Sequence, residues 1–325
     1  MILILSSELD HTTYEVIDWL SSLGRDFIRI SKDTKVIFKE LVINNDNIDF
    51  TIIVNEKHSL RFSDISSFWY RRDQIDFNAV VDKITNEDMK NHLFEEQFRL
   101  NEFIMFLIHS KSGIGSIFNK NINKLVCLNA AKNAGLKIPA TYILTNKDKL
   151  QHLISTNKMI TKCIQESPHY NANKIYYTTY TELINPDKLN NISDEFFPSM
   201  FQYKIEKRYE LRIFYLMGKC YTMAIFSQRD EQTSIDFRKY NKENPNRTVP
   251  YKLPLNIEQK IIKFMKAISL NTGSIDMICT KNGEYYFLEV NPVGQFGMVS
   301  YPCNYYLEKK VAEELVKMNS QYEDV

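Results

Sequence analysis

The stretch SIDMICTKNGEYYFLEVNPVGQF, residues 274–296, decides how this chain is read. Two apolar runs flank Asn282-Gly283, and Asn-Gly between such runs is a strong hairpin signal, because a type I′ turn needs two residues at positive φ. With those two as the loop, pairing is fixed. Lys281 faces Glu284, Ile278 faces Phe287, and Asp276 faces Glu289. Asn291 lies two residues beyond Glu289 and therefore points to the same face. Two carboxylates directly across a ladder repel, and more strongly where the dielectric is low. A hard divalent cation relieves that repulsion. Mg²⁺ takes carboxylate and amide oxygens while keeping waters or substrate phosphates. Protonation of one acid, a slipped register or a solvated face are the alternatives.

The rest of the composition narrows the class. A chain of 325 residues that is 44% hydrophobic can bury a large core and suggests two or three domains. The net charge of +1 gives no overall field, and no basic stripe or reading motif points to nucleic acid. Five scattered cysteines form no CxxC, and six histidines form no HxxxH. That pattern implies reduced thiols in a cytoplasmic protein and no zinc site. MILIL at the start is too short for a signal peptide, and FIMFLIH (103–109) is far below spanning length, so no membrane partner is expected.

Periodicity sketches an α/β start followed by α+β units. Residues 2–6 and 27–30 read as strands around a helix that stops at Gly24. Residues 36–70 read as hairpin strands, and 85–110 as one long amphipathic helix. This N-terminal α/β domain is expected to end near 118. A second unit, 119–190, holds a helix stopped by Gly135, a turn at Pro139 and strands at 158–165 and 174–180. A third, 191–325, holds strands at 199–205, 209–217 and 220–228, a helix at 256–270, the opening hairpin and a closing helix near 304–317. On that helix Leu307, Val311 and Leu315 share one face.

A Mg²⁺ held by two or three protein groups usually shares its shell with a nucleotide. No GxxxxGK[ST] and no GxGxxG is present, which excludes P-loop and dinucleotide-fold readings. Two lysines stand in telling places instead. Lys162 lies inside the strand MITKCIQ, and Lys124 opens a helix whose N-terminus favours an anion. Solvated or snorkelling lysines are the competing reading of each.

In order, these parts resemble the ATP-grasp superfamily over roughly 119–300: Lys124 with LNAAKNAGLKIP, Lys162, FQYKIEKRYELRIFYLMGK, then SIDMI and FLEVNP. The resemblance implies a three-subdomain fold with a nucleotide cleft between the central and C-terminal subdomains. It also implies ATP and Mg²⁺ as cofactors. Lys124 and Lys162 would bind phosphates. Gln202, Tyr203 and Ile205 would form the adenine hinge, and Glu210 would bind ribose. Asp276, Glu289 and Asn291 would hold the metal. PSMFQ, Glu210-Leu-Arg212, FSQRDEQTSIDFRKY and NRTVPYKLP further resemble graspetide maturases, the ATP-grasp enzymes that crosslink a ribosomally made precursor peptide. The N-terminal MILILSSELDHTT, RDFIRI and SFWYRRD resemble the grasp-with-spasm branch, which extends the likeness to the whole chain.

The resemblance implies that a peptide Asp or Glu carboxylate is phosphorylated and then joined to a Ser or Thr hydroxyl or a Lys amine. Arg212 and Arg238, with Arg247 as a weaker third, are the candidate anion-orienting arginines, against a plain role in salt bridges. Asp194 and Glu195 in NISDEFFP would dock the leader of the leader-plus-core precursor, on what the comparable helix of relatives does. A homodimer is implied as well. Two departures stand out: ESPHYNAN (166–173) lacks the glycines many relatives carry there, and Glu210 stands where many have Asp. The alternatives are a ligase that adds free amino acids and a nucleotide binder without catalysis.

Overall fold

The computed structural model describes residues 1–77, 84–165, 169–172, 175–178, 180–228, 243 and 245–323. Arg238 lies outside the described residues. Contacts divide the chain into two compact units. One is Met1–Lys120 with Gln295–Ser300 and Tyr306–Val325; the other is Asn121–Gly294 with Tyr301–Tyr305.

The first unit opens with β1 (Ile2–Ser6), α1 (His11–Ser22) and β2 (Phe27–Ile30). An antiparallel sheet of β3 (Val36–Ile43), β4 (Ile48–Val54) and β5 (His58–Arg61) follows. Then come β6 (Ser67–Arg71), α2 (Glu87–His109) and β7 (Ser112–Ile114). β1 pairs in parallel with both β2 and β6, in the order β2-β1-β6-β7. All five β1 residues are buried, as a parallel strand covered on both faces requires. Asp10 caps α1 by accepting from Thr12 N–H at 3.1 Å, and the buried Arg71 donates to the same carboxylate at 2.7 Å. Trp-Tyr-Arg-Arg thus has a structural use at its first arginine.

The second unit runs through α3 (Lys124–Asn133), β8 (Thr141–Asn146), α4 (Lys147–Thr156), β9 (Met159–Lys162), β10 (His169–Ala172), β11 (Ile175–Thr178), β12 (Glu182–Ile184) and α5 (Pro186–Asn190). It continues with β13 (Glu195–Tyr203), β14 (Lys207–Leu216), β15 (Lys219–Phe226), β16 (Arg247–Tyr251), α6 (Leu255–Ala267), β17 (Thr272–Thr280) and β18 (Tyr285–Asn291). The chain ends with α7 (Gly297–Cys303) and α8 (Leu307–Glu323). One sheet has the order β12-β9-β13-β8 and a second β16-β15-β14-β17-β18, with β10-β11 a separate hairpin. Tyr209, Leu211 and Ile213 on one face of β14 join a core with Ile261, Phe264 and Phe287. The opposite face is left for Glu210 and Arg212.

Four placements differ from the expectation. β13 belongs to the sheet of β8 and β9, so the chain leaves that sheet after Tyr203 and not near residue 190. The closing helix α8 packs on α1, β6 and β7 of the first unit, although the expected Leu307, Val311 and Leu315 are the buried face. An apolar stripe or strand names its period and not its partner. Residues 169–172, between the strands expected at 158–165 and 174–180, form a strand, and β16 lies between the expected strand at 220–228 and the helix at 256–270, where none was expected.

Candidate active site

The opening hairpin has a tighter local cause than the sequence suggested. Thr280 N–H donates to Glu284 O at 2.9 Å and Gly283 N–H to Thr280 O at 3.1 Å, so the loop is the three residues 281–283. Gly283 has φ +77°, whereas Asn282 does not enter the positive region, which excludes type I′. Pairing from the turn is therefore Cys279 with Tyr285, Ile278 with Tyr286 and Met277 with Phe287. The expected pairing of Ile278 with Phe287 is wrong by one residue. The ladder then shifts, and Asp276 does face Glu289, with Ser274 facing Asn291. Leu288 is the extra residue of this bulge. Phe287 is buried in the core, while Leu288 and Glu289 both line the cleft. The bulge re-aims Glu289 onto the face of Asp276, a common use of bulges beside functional sites.

Arg212 stands opposite Asp276 across β14 and β17, and its Nη1 donates to Asp276 Oδ2 at 2.6 Å. Their side chains are only 12% and 14% exposed. Glu289 Oε2 is met by two lysines from different elements. Lys124 Nζ, at the start of α3, lies 3.4 Å away, and Lys162 Nζ, at the end of β9, lies 3.8 Å away. Lys124 Nζ also donates to Gln165 O at 3.1 Å. Among the described residues three cations thus balance the facing carboxylates, and the lysines and acids singled out separately in the sequence form one cluster.

That cluster borders a cleft within the second unit. Ile160, Tyr203, Ile205 and Leu288 give it an apolar wall, and Lys162, Gln202, Glu210, Asp276 and Glu289 bring polar groups. Gln202 is buried; its Nε2 donates to Thr141 Oγ1 at 2.9 Å, while Oε1 has no hydrogen-bond partner among the described residues. Tyr203 N–H donates to Ala140 O at 3.0 Å and Lys204 N–H to Lys158 O at 2.8 Å. Both of these backbone amides are thus taken within the chain.

Glu210 accepts a hydrogen bond from the buried Lys207. Residues three apart on a regular strand point to opposite faces, and the register shift between Lys207 and Tyr209 brings these two together. Burial pushes the Glu210 carboxyl up to about 7, opposed by the Lys207 ammonium and aided by the nearby Asp276 charge. Lys207 escaped the sequence reading because its partner depends on that irregularity.

The other candidates separate. Asn291 Oδ1 accepts from Val293 N–H at 3.1 Å, an Asx turn that shapes Asn-Pro-Val-Gly. Among the described residues no group of three His, Cys, Asp or Glu side chains is placed to hold a metal. The trio of Asp276, Glu289 and Asn291 offers two carboxylates and an amide, which is enough for Mg²⁺ sharing its shell with phosphates. Arg247 opens β16, with its guanidinium over the Phe226 ring. Asp194 and Glu195 are exposed, in a bend and at the first residue of β13, so no helix carries them. Phe197 beside them is 85% exposed.

The architecture, with its cleft between two antiparallel sheets and lysines and acids gathered at its rim, is the ATP-grasp fold. No protein-family model matches the sequence, and no curated protein does. Solved structures match over nearly the whole chain. A RiPP-associated ATP-grasp ligase from Chryseobacterium gregarium, in complex with ADP and a leader and core peptide, has a TM-score of 0.80 at 24% identity, covering 97% of this chain and 96% of that one. The macrocyclase MdnC from Microcystis aeruginosa MRC, bound with the precursor peptide MdnA, has a TM-score of 0.74 at 26% identity, covering 97% and 99%. The ATP-grasp ligase PsnB, complexed with a minimal precursor, Mg and ADP, has a TM-score of 0.69 at 14% identity, covering 98% and 97%. Among the described residues no helix is long and apolar enough to cross a membrane.

Proposed function

We propose that the chain is an ATP-dependent macrocyclase of a ribosomally made precursor peptide. The observation that carries this reading is the meeting of Lys124, Lys162 and Glu289 opposite the Arg212–Asp276 pair, at the rim of an ATP-grasp cleft. In this reading Lys124 and Lys162 leave Glu289 for the phosphates of ATP. Asp276, Glu289 and Asn291 hold Mg²⁺, which supplies charge neutralisation on those phosphates. Gln202, Tyr203 and Ile205 line the base, and Glu210, ionised with the help of Lys207, accepts from the ribose.

The substrate is an Asp or Glu side chain of the bound peptide. Its carboxylate oxygen bonds to the γ-phosphorus as the bond to ADP breaks. A Ser or Thr hydroxyl, or a Lys amine, of the same peptide then attacks the acyl carbon, phosphate leaves, and the nucleophile loses its proton. An ω-ester or amide results. Positioning and charge compensation do the catalysis, with no enzyme nucleophile. Arg212 and Arg238 are the arginines that orient the anions, since a guanidinium fork suits planar carboxylate and phosphate groups. Asp194 and Glu195, beside the exposed Phe197, receive the leader. The same reading carries the division into N-terminal, central and C-terminal parts, a homodimer and a cytoplasmic setting.

Mass spectrometry of precursor peptide incubated with protein, ATP and Mg²⁺ tests it. Each ring closed removes one water from the peptide. A mass increase would instead identify a ligase of free amino acids. ADP release independent of peptide, with the peptide mass unchanged, would overturn the reading.

A further inference from the structure

One acceptor in the cleft is held in place by a residue that the proposed chemistry does not use. Gln202 on β13 faces Thr141 on β8. The bond from Tyr203 N–H to Ala140 O makes the two a non-hydrogen-bonded pair, in which cross-strand side chains stand closer. On its other side Gln202 faces Ile160 of β9, and Ile160 and Lys162 line the cleft with it. Phe201, one residue away, turns to the opposite face and packs with Leu144, Leu150 and Met159. Gln202 itself is 1% exposed.

The oxygen and nitrogen of a side-chain amide are told apart by the network they join. A threonine hydroxyl has a single proton to give. Thr141 Oγ1 donates that proton to Pro139 O at 2.9 Å, so toward Gln202 it acts as an acceptor. The group that meets it at 2.9 Å is therefore the Gln202 Nε2 amine, and Oε1 is turned away from Thr141. Oε1 is buried with no hydrogen-bond partner among the described residues. A buried acceptor left unsatisfied costs free energy that a donor on a ligand removes. We infer that Thr141 is a positioning residue for base choice: by fixing the Gln202 amide it admits a purine with an amino group at its 6-position and rejects one with an oxo group there. This rests on the nucleotide reading above and adds to it a residue that acts only through Gln202. Without Thr141 the amide is free to turn over and to offer its amine instead, since both ends have nearly the same shape.

Calorimetric titration of the full chain with ATP and with inosine triphosphate, each with Mg²⁺, is the test. The readout is the ratio of the two affinities within one variant. A smaller folded fraction cancels in that ratio, so a purely structural role of Thr141 would not move it. Wild type is expected to prefer ATP at least about tenfold, as two acceptor oxygens facing each other without a proton require. Thr141→Val removes the hydroxyl and should lower the ratio about fivefold or more. Thr141→Ser keeps the hydroxyl and should return the ratio to that of wild type. Gln202→Met has neither end of the amide and should bind both nucleotides alike. Equal affinities in wild type, a Thr141→Val ratio equal to that of wild type, or a Thr141→Ser ratio as low as that of Thr141→Val overturns the inference. None of these readouts involves the peptide. Equal binding of the two nucleotides would therefore sink this inference and leave the proposed crosslinking standing, and a failure of crosslinking would leave the base choice standing.

Discussion

Arg212→Met isolates the balance of charge around the facing carboxylates. In the native structure Arg212 Nη1 lies 2.6 Å from Asp276 Oδ2, and both side chains are nearly enclosed. Methionine keeps much of the stem's volume and removes only the cation. Asp276 then faces Glu289 across β17 and β18 without its guanidinium, while Lys124 and Lys162 remain on the Glu289 side. Breaking a buried pair by deleting one partner costs about 3–5 kcal/mol; the low end, about 3 kcal/mol, applies here because the two lysines still compensate part of the charge. For a unit of this size that corresponds to a fall in Tm of roughly 6–12 °C. Asp276→Asn in the same background should recover part of the loss, with a coupling energy of about 1.5–3 kcal/mol between the two positions. Thermal unfolding followed by far-UV circular dichroism is the suitable assay, because Trp19 and Trp69 both belong to the other unit. If Arg212→Met unfolds within about 1 kcal/mol of wild type, or the two changes add to within about 0.5 kcal/mol, the pair does not hold the hairpin and its role here is wrong.

Lys124→Ala and Lys162→Ala should each weaken ATP binding by roughly 10- to 100-fold, the range of one charged phosphate contact, in a calorimetric titration with Mg²⁺; wild-type affinity in both would remove the lysines from the site. Burial by itself would raise the Asp10 carboxyl, but the Arg71 charge and the Thr12 and Arg71 hydrogen bonds bring it below the usual carboxylate value. Its contribution is therefore complete above an unfolded pKa of about 3.9 and lost as pH falls through the lower folded value. Acid titration of the tryptophan fluorescence should show Asp10→Asn already destabilised at pH 7 and flatter below pH 4; parallel curves would contradict the linkage. A Cβ on Gly294 would sit 2.3 Å from Ser274 Cβ, opposite Asn291 in the ladder. Gly294→Ala should cost about 1–3 kcal/mol by overpacking and lower peptide crosslinking without touching a carboxylate, and a fully active, equally stable variant would show that this strand end tolerates displacement.

Much of the site was written in local sequence. Carboxylates at 276 and 289 inside apolar strands, a lysine within a strand at 162 and another opening a helix at 124 are anomalies of burial, and burial anomalies show without a fold. Their placement was not written there. The Asn-Gly turn was assigned two loop residues, and the protein uses three, because only Gly283 takes positive φ. The Asp276–Glu289 pairing survives only through the Leu288 bulge, which no periodicity announces.

By itself the sequence determined the hairpin, the apolar face of α8, and the residue types of the cluster, since these follow from turn chemistry and from helix and strand periods. The tertiary structure decided which strands share a sheet, that α8 packs with the first unit, and that Glu210 pairs with Lys207. It also decided that Lys124 and Lys162 meet at one carboxylate oxygen. Those outcomes depend on contacts between residues distant along the chain, and on ladder shifts of one residue that reverse the face a side chain points to.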